Sequence, residues 1–470
     1  MHTDDQGDVE GTRDVTIITG GDVITMNPAR DILKGGAVAM RGTEIVGVGA
    51  TSDTRRAFPG ATELDARGCV ITPGLISGHH HLTGDPLVRS CLPDNLDSGT
   101  KTFGWSVPLH AQHTPADDEM SAVLSCGESA TRGVTTMIEA GTVAHPDRVA
   151  AGALRVGTRL GLGTWGWDAP DQPFAYPARE VLARIGAVLD AYPPGGLVTG
   201  WVTLVGHDLA TEELLVGAAD LARSRGVRMT MHMSPGENDS ISYLATTGRR
   251  PLVYLEDIGV MGDHLLLAHC LYIDDAEIEV LLRTDTAVAW CPWGGLRSGS
   301  GVVANTRHAE LFQRGLRIGL GCDTVNSGDS VDLLRAGALA SGLSKDAYRD
   351  AAALVSHDVL EMITIRGARA VGLADRIGSL EVGKRADVVV HDASGWHWTP
   401  RGDIVTQLVW SSDGQSVRDV FVDGRMIVRG GECLTVDLNG IREEANRMSV
   451  ALLARTGIEL PHKWPETIAD

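Results

Sequence analysis

"ITPGLISGHHHL", residues 71–82, ends an apolar run in three consecutive histidines. Such a stretch reads either as metal ligands or as a polar patch closing a strand. The choice turns on whether ligand-type residues recur at the ends of later strands. Working outward, candidate strands follow in "GVTTMIEAG", "RLGLGTW", "LVTGWVTLVG", "VRMTMHM", "HLLLAHC", "AVAWCPW" and "LRIGLGCD". Helical patterns such as "DDEMSAVLSCGESATR", "EVLARIGAVLDAY", "TEELLVGAADLARSR" and "DAEIEVLL" lie between them. With "VITPGLIS" that makes eight strands alternating with helices over residues 73–375, which points to a parallel (β/α)8 barrel of the TIM type. A doubly wound open sheet is the competitor, but it needs fewer strands.

Barrels place their chemistry at the C-terminal ends of strands. His79 and His81 follow the first strand. Residues i and i+2 of an extended chain face one side, so both imidazoles reach one ion while His80 points away. His232 ends the fifth strand, His269 the sixth and Asp323 the eighth. Each has a plain alternative: a lone His-x-His is usually incidental, a strand-end histidine is usually a bonded core residue, and an aspartate after "LGC" can cap a helix. All five in barrel order make a metal site the better reading.

The flanks are strand-rich. "VTIITGGDVITM", "GGAVAMRGTEIVGVG" and "ATELDARGCVI" near the N-terminus alternate with period two, as do "ADVVVHD" and "VRDVFVDGRMIVRGGE" near the C-terminus. They predict a small β-sandwich assembled from residues 1–72 and 376–470, with a surface helix in "LNGIREEANRMSVALLARTG". Two motif matches fail on context. "GLGTWG", residues 161–166, fits a dinucleotide fingerprint, but "WDAPDQPFAYP" cannot open the helix it needs. "GSLEVGKR", residues 378–385, puts Arg where a P-loop needs Ser or Thr, and leads into a strand.

Composition narrows the partners. The 470 residues carry a net charge of −20, which argues against nucleic acid. Seven cysteines without a Cys-x-x-Cys make neither a disulfide framework nor a zinc ribbon. The acidic opening "MHTDDQGDVEGTRD" lacks a signal-peptide layout, and no apolar run suggests a membrane span. These features predict a cytoplasmic protein.

From "PGLISGHHH" through "MHM", "LAHC" and "GCDTVNSGDS" to "GSLEVGKRADVVV", the chain resembles the amidohydrolase superfamily. It is most similar to the mononuclear branch of triazine hydrolases and guanine and adenosine-type deaminases. The resemblance implies one divalent ion, Zn²⁺ or alternatively Fe²⁺, on His79, His81, His232 and Asp323. His269 would then stand beside the activated water as a hydrogen-bonding group or an additional weak ligand. No Lys ends the fourth strand in "TGWVTLVGHD", which disfavours a carbamylated-lysine binuclear site. Asp323 would take the water's proton, and a second acid would protonate the ring nitrogen or leaving amine.

The chain departs from the family pattern at that acid. Where His-x-x-Glu is usual, "HMSPGENDS" has Pro235, with Glu237 two residues later. Glu237 is the expected catalytic acid and Asp239 the fallback. His207, in "VGHDLATEELL", matches a substrate-contacting histidine of the relatives. Trp165 and Trp167, with Trp290 and Trp293, are the expected pocket walls for a flat substrate in a chain with 4% aromatics. His110, His113 and His145 receive no role, and His264 is expected to be structural. The expectation is a hydrolase that replaces an amino, or less readily a halogen, substituent on a small nitrogen heterocycle, hydrolytic deamination leading. A cyclic amide or imide hydrolase and a non-catalytic barrel are the alternatives. Relatives of this kind often form homodimers.

Overall fold

Gly74 divides the opening apolar run between two sheets. In the computed structural model, which describes residues 15–459 and 464, the strand Cys69–Pro73 ends there and Leu75–His80 begins. A Cβ on residue 74 would lie 2.1 Å from Thr135 Oγ1, so only glycine lets the chain cross at this point. "VITPGLIS" is therefore two strands, not the single strand expected. The acidic segment 1–14, read above as unlike a signal peptide, lies outside the described residues.

Cys69–Pro73 sits centrally in a mixed sheet of nine strands. It pairs antiparallel with Val388–Asp392 and parallel with Val15–Ile24. Outward on one side follow Ile32–Arg41 and Glu44–Ala50; on the other follow Val417–Val422, Arg425–Arg429 and Glu432–Cys433. Thr62–Asp65 joins Val15–Ile24 in parallel. Both chain ends contribute, as the alternation predicts, but the pairing makes one continuous sheet and not two. Ile18, Val38, Ile71, Val388 and Phe421 share a separate apolar core there. The "VDGR" hairpin turns through Asp423 and Gly424 at φ 48° and 72°, the left-handed values that an Asp-Gly turn supplies.

The inner strands are all parallel. Leu75–His80, Val134–Glu139, Arg159–Leu162 and Val198–Gly200 form one sheet in chain order. Val202–Gly206, Met229–Met233, Leu265–His269, Ala287–Trp290 and Ile318–Leu320 form another. The fourth expected strand is split at Trp201, whose N–H donates to Leu162 O at 2.8 Å while Val202 N–H donates to Arg228 O at 3.0 Å. At the opposite junction Asp323 N–H donates to His79 O at 3.1 Å and His81 N–H to Asp323 O at 3.2 Å.

Helices Pro115–Thr131, Ala178–Ala191, Glu212–Arg225 and Asp275–Thr284 connect these strands, close to their predicted places. Capping boxes at Thr114/Asp117 and Asp274/Glu277 fix two of their starts. After Arg159–Leu162 no helix begins until Ala178, consistent with rejecting the dinucleotide fingerprint. The terminal helix Leu438–Thr456 buries only Ile441, Ala445 and Leu452.

Candidate functional site

His79 and His81 reach one point from the end of Leu75–His80, and His80 turns outward to hydrogen-bond Ser125 Oγ at 2.7 Å. His232 comes from Met229–Met233, and His269 is the last residue of its strand. Asp323 follows Ile318–Leu320. Ligand atoms of His79, His81 and His232 lie within 4.8 Å of one another, as do those of His79, His269 and Asp323. Asp323 Oδ1 is 3.5 Å from His81 Nε2 and 3.9 Å from His79 Nε2. His269 and Asp323 hold φ values of 73° and 63°, left-handed strain at the two strand ends that aim side chains inward.

The tautomers follow from the hydrogen bonds. Thr142 Oγ1 donates to Glu139 Oε1 at 3.1 Å, so it accepts from His81 Nδ1–H at 2.9 Å. His232 Nδ1–H donates to the Val205 carbonyl. Each ring therefore points its Nε2 lone pair into the cluster, and these two nitrogens are 3.1 Å apart. Burial, then His232 and His81, holds His79 well below the ordinary histidine range. Burial, then His269, brings His232 down to about 4. Both nitrogens of His79 are buried with no hydrogen-bond partner. Neutral imidazoles that face one another through lone pairs, beside a carboxylate, fit one divalent cation.

Several supports were not legible in the sequence. Glu139, fully buried, accepts from Gly141 N at 2.7 Å and Thr142 N at 3.2 Å, and burial pushes it up to about 7 against these bonds. His308 Nε2–H donates to the His269 carbonyl at 2.6 Å while its ring stacks on Trp290 at 4.4 Å. Gly294 leaves room for Asp323: a Cβ there would lie 2.1 Å from Oδ2. Nothing in "TRHAEL" or "PWGG" announces these contacts before the chain is folded.

A cavity of about 530 Å³ opens over the cluster. His207, Trp165, Trp167 and Trp290 line it, as do Glu237 and Asp239. Trp165 stacks on Phe174 at 5.1 Å and lies 4.8 Å from Trp167, so the wall is a rigid aromatic shelf. His207 Nδ1 faces the His232 carbonyl at 3.2 Å, and its Nε2 is buried without a partner. Trp293 does not line the cavity, contrary to expectation. It stands on the first turn of helix Pro292–Arg297, with Gly328 close against its ring and the Arg335 guanidinium 5.5 Å over it. Trp290, one strand end earlier, takes the wall position.

Glu237 is the first residue of helix Glu237–Thr247 and is exposed on the cavity side. Asp239, half-buried, is raised by burial and lowered by His207. His110 is on the cavity wall, 5.4 Å from Trp165. His113 and His145 each bond Asp118 at 2.9 Å, so these three histidines acquire places that the sequence left blank.

Comparison with known proteins completes the picture. The amidohydrolase family pattern matches residues 70–427, more than half the chain. The chain belongs to the amidohydrolase family. A 5-methylthioadenosine/S-adenosylhomocysteine deaminase of Syntrophobacter fumaroxidans is 29% identical over 94% of this amidohydrolase and 98% of its own length. An S-triazine hydrolase of Gordonia rubripertincta is 26% identical over 95% and 98%. Among solved structures, a zinc-bound adenosine deaminase of Xanthomonas campestris superposes with a TM-score of 0.87 at 26% identity, over 93% and 98% of the two chains. This amidohydrolase is a hydrolytic enzyme acting on C–N bonds. Among its described residues no helix is long and apolar enough to cross a membrane.

Proposed function

We propose that this enzyme hydrolytically deaminates an amino-substituted nitrogen heterocycle, the adenine nucleosides being the leading class. The observation that carries the reading is the pair of Nε2 lone pairs of His81 and His232, 3.1 Å apart beside the partnerless nitrogens of His79. The deaminase relatives supply the heterocycle. We read the two parallel sheets as one (β/α)8 barrel over residues 73–375, flanked by the single nine-stranded sheet to which strands from both sides of it contribute.

His79, His81, His232 and Asp323 would hold one zinc ion, with iron as the alternative. Bound there, such an ion lowers the pKa of water towards neutrality and acts as a Lewis acid. Asp323 accepts the proton of the attacking water. Trp165, Trp167 and Trp290 hold the ring flat, and His207 offers a hydrogen bond through Nε2. Glu237 donates a proton to the ring nitrogen, Asp323 passes the water's proton to the amino group so that it departs as ammonia, and the remaining hydroxyl proton returns to Glu237, which leaves a ring carbonyl. His269 orients the water.

The second reading is cyclic amide or imide hydrolysis, which needs the same activated water and no acid at a ring nitrogen. Pro235 at the usual acid position and the exposure of Glu237 favour it. A screen for ammonia release from adenosine, 5′-deoxyadenosine, 5-methylthioadenosine, guanine and amino-s-triazines, set against ring opening of cyclic amides, separates the two. Deamination predicts ammonia from at least one amino-heterocycle; ring opening without ammonia overturns it.

A further inference from the structure

Carboxylates outnumber cations around the cavity. Besides Asp323 the wall carries Asp85, Asp97, Asp208, Glu237 and Asp239, and Lys101 is its one lysine or arginine among the described residues. Lys101 is engaged: its Nζ donates to the Asn326 carbonyl at 3.0 Å. Asp97 is engaged too, accepting from Thr100 N at 3.0 Å and Thr100 Oγ1 at 2.7 Å.

Asp85 is different. It opens the short turn Asp85–Val88 that follows the strand bearing His79. The residue is 3% exposed, and its Oδ2 is buried with no hydrogen-bond partner among the described residues. A buried carboxylate oxygen of this kind calls for a donor or a positive charge. His110 lies beside it, and burial, then His113, lowers that imidazole below its ordinary range while Asp85 raises it.

We propose, resting on the heterocycle reading above, that the substrate carries a protonated amine on its distal substituent, which pairs with Asp85, and that the carboxylate wall rejects anionic substituents. An amine brings up to three donors and a positive charge to a site partly removed from water, where the field of several carboxylates is weakly screened. A carboxylate or phosphate in the same place would meet like charge with no free cation to offset it, so the discrimination includes a repulsive element.

Three adenine nucleosides that differ only at the 5′ position test this: 5′-deoxyadenosine, 5′-amino-5′-deoxyadenosine and adenosine-5′-carboxylate. Ammonia release gives kcat/KM and calorimetry gives Kd on the metal-loaded protein near neutral pH. The amine should bind on the order of tenfold more tightly than the neutral compound, and the carboxylate more weakly than either. Asp85→Asn should remove the amine's advantage over the neutral compound. If none releases ammonia, the deamination reading fails, and the order of Kd values still decides the charge preference. An amine that binds no better than the neutral compound, or not at all, overturns the proposal, as does an unchanged preference in Asp85→Asn. Should that variant not fold, the order on the parent protein stands as the test.

Discussion

His81 and His232 bring their Nε2 atoms within 3.1 Å of each other while both Nδ1 atoms donate elsewhere, to Thr142 and to the Val205 carbonyl. Two uncharged imidazoles gain nothing from that approach. A divalent cation held by these lone pairs would stabilise the arrangement, and the contacts to the two Nδ1 atoms fix the tautomers in advance. Thr142→Val should therefore weaken metal retention by roughly 10- to 100-fold in a chelator competition, with the fold unchanged by circular dichroism. Unaltered retention would detach Thr142 from the site.

In its proposed role Asp323 unites a ligand charge with a base. Asp323→Asn keeps the size and loses both, so kcat should fall by at least about 10²–10⁴-fold. Substantial turnover in a folded variant would remove Asp323 from the base role.

Glu237 takes the proton-donor role in the proposed reaction. Glu237→Gln should retain metal and substrate affinity and lower kcat by roughly 10²–10⁴-fold. Activity within a few-fold of the parent would pass the donor role to Asp239 or His207 and favour cyclic-amide cleavage.

Gly294 is a steric claim with a direct test. In Gly294→Ala the new methyl would meet Asp323 Oδ2 at 2.1 Å, so the carboxylate or the helix Pro292–Arg297 must move. Turnover should drop well before stability does, because only the site is crowded. A variant with parental kcat and metal content would show that the helix yields freely.

Acid lability should come in part from buried neutral histidines. His391 is fully buried against Thr72 Oγ1 at 3.1 Å, and burial pulls it down to about 3. Above about pH 6.5 it is neutral folded or unfolded and contributes no pH dependence. As pH falls from there towards 3 only the unfolded chain takes the proton, so stability is lost with acid. His80 and His308, each pulled to about 4, add in the same direction. Between about pH 7 and pH 5 the stability measured by urea should fall, with about 2 kcal/mol due to His391, and His391→Gln should flatten that part of the slope. An equal slope in the variant would refute the assignment.

Much of this was legible because it was periodic or local. Alternation marked the flanking strands, helical patterns filled the intervals between the inner strands, and His79, His81, His232, His269 and Asp323 each ended an apolar run. What the sequence hid depends on distance in space. Gly74 reads as an ordinary residue within one apolar run, yet a contact with Thr135 makes it the boundary between sheets. Trp290 and Trp293 are both three-residue neighbours on "AWCPW", and only the start of a helix at Pro292 decides which faces the cavity. The ties of His308 to His269 and of Gly294 to Asp323 join segments that no pattern links.

His79, His81, His232 and Asp323 are proposed to hold one metal ion, and elemental analysis of gently purified protein reads that directly. The protein should hold about one zinc or iron ion per chain, lost together with activity when His81 or His232 is replaced by Ala and restored to neither variant by added zinc. Protein that holds no transition metal, and gains neither metal nor activity on reconstitution, would contradict it.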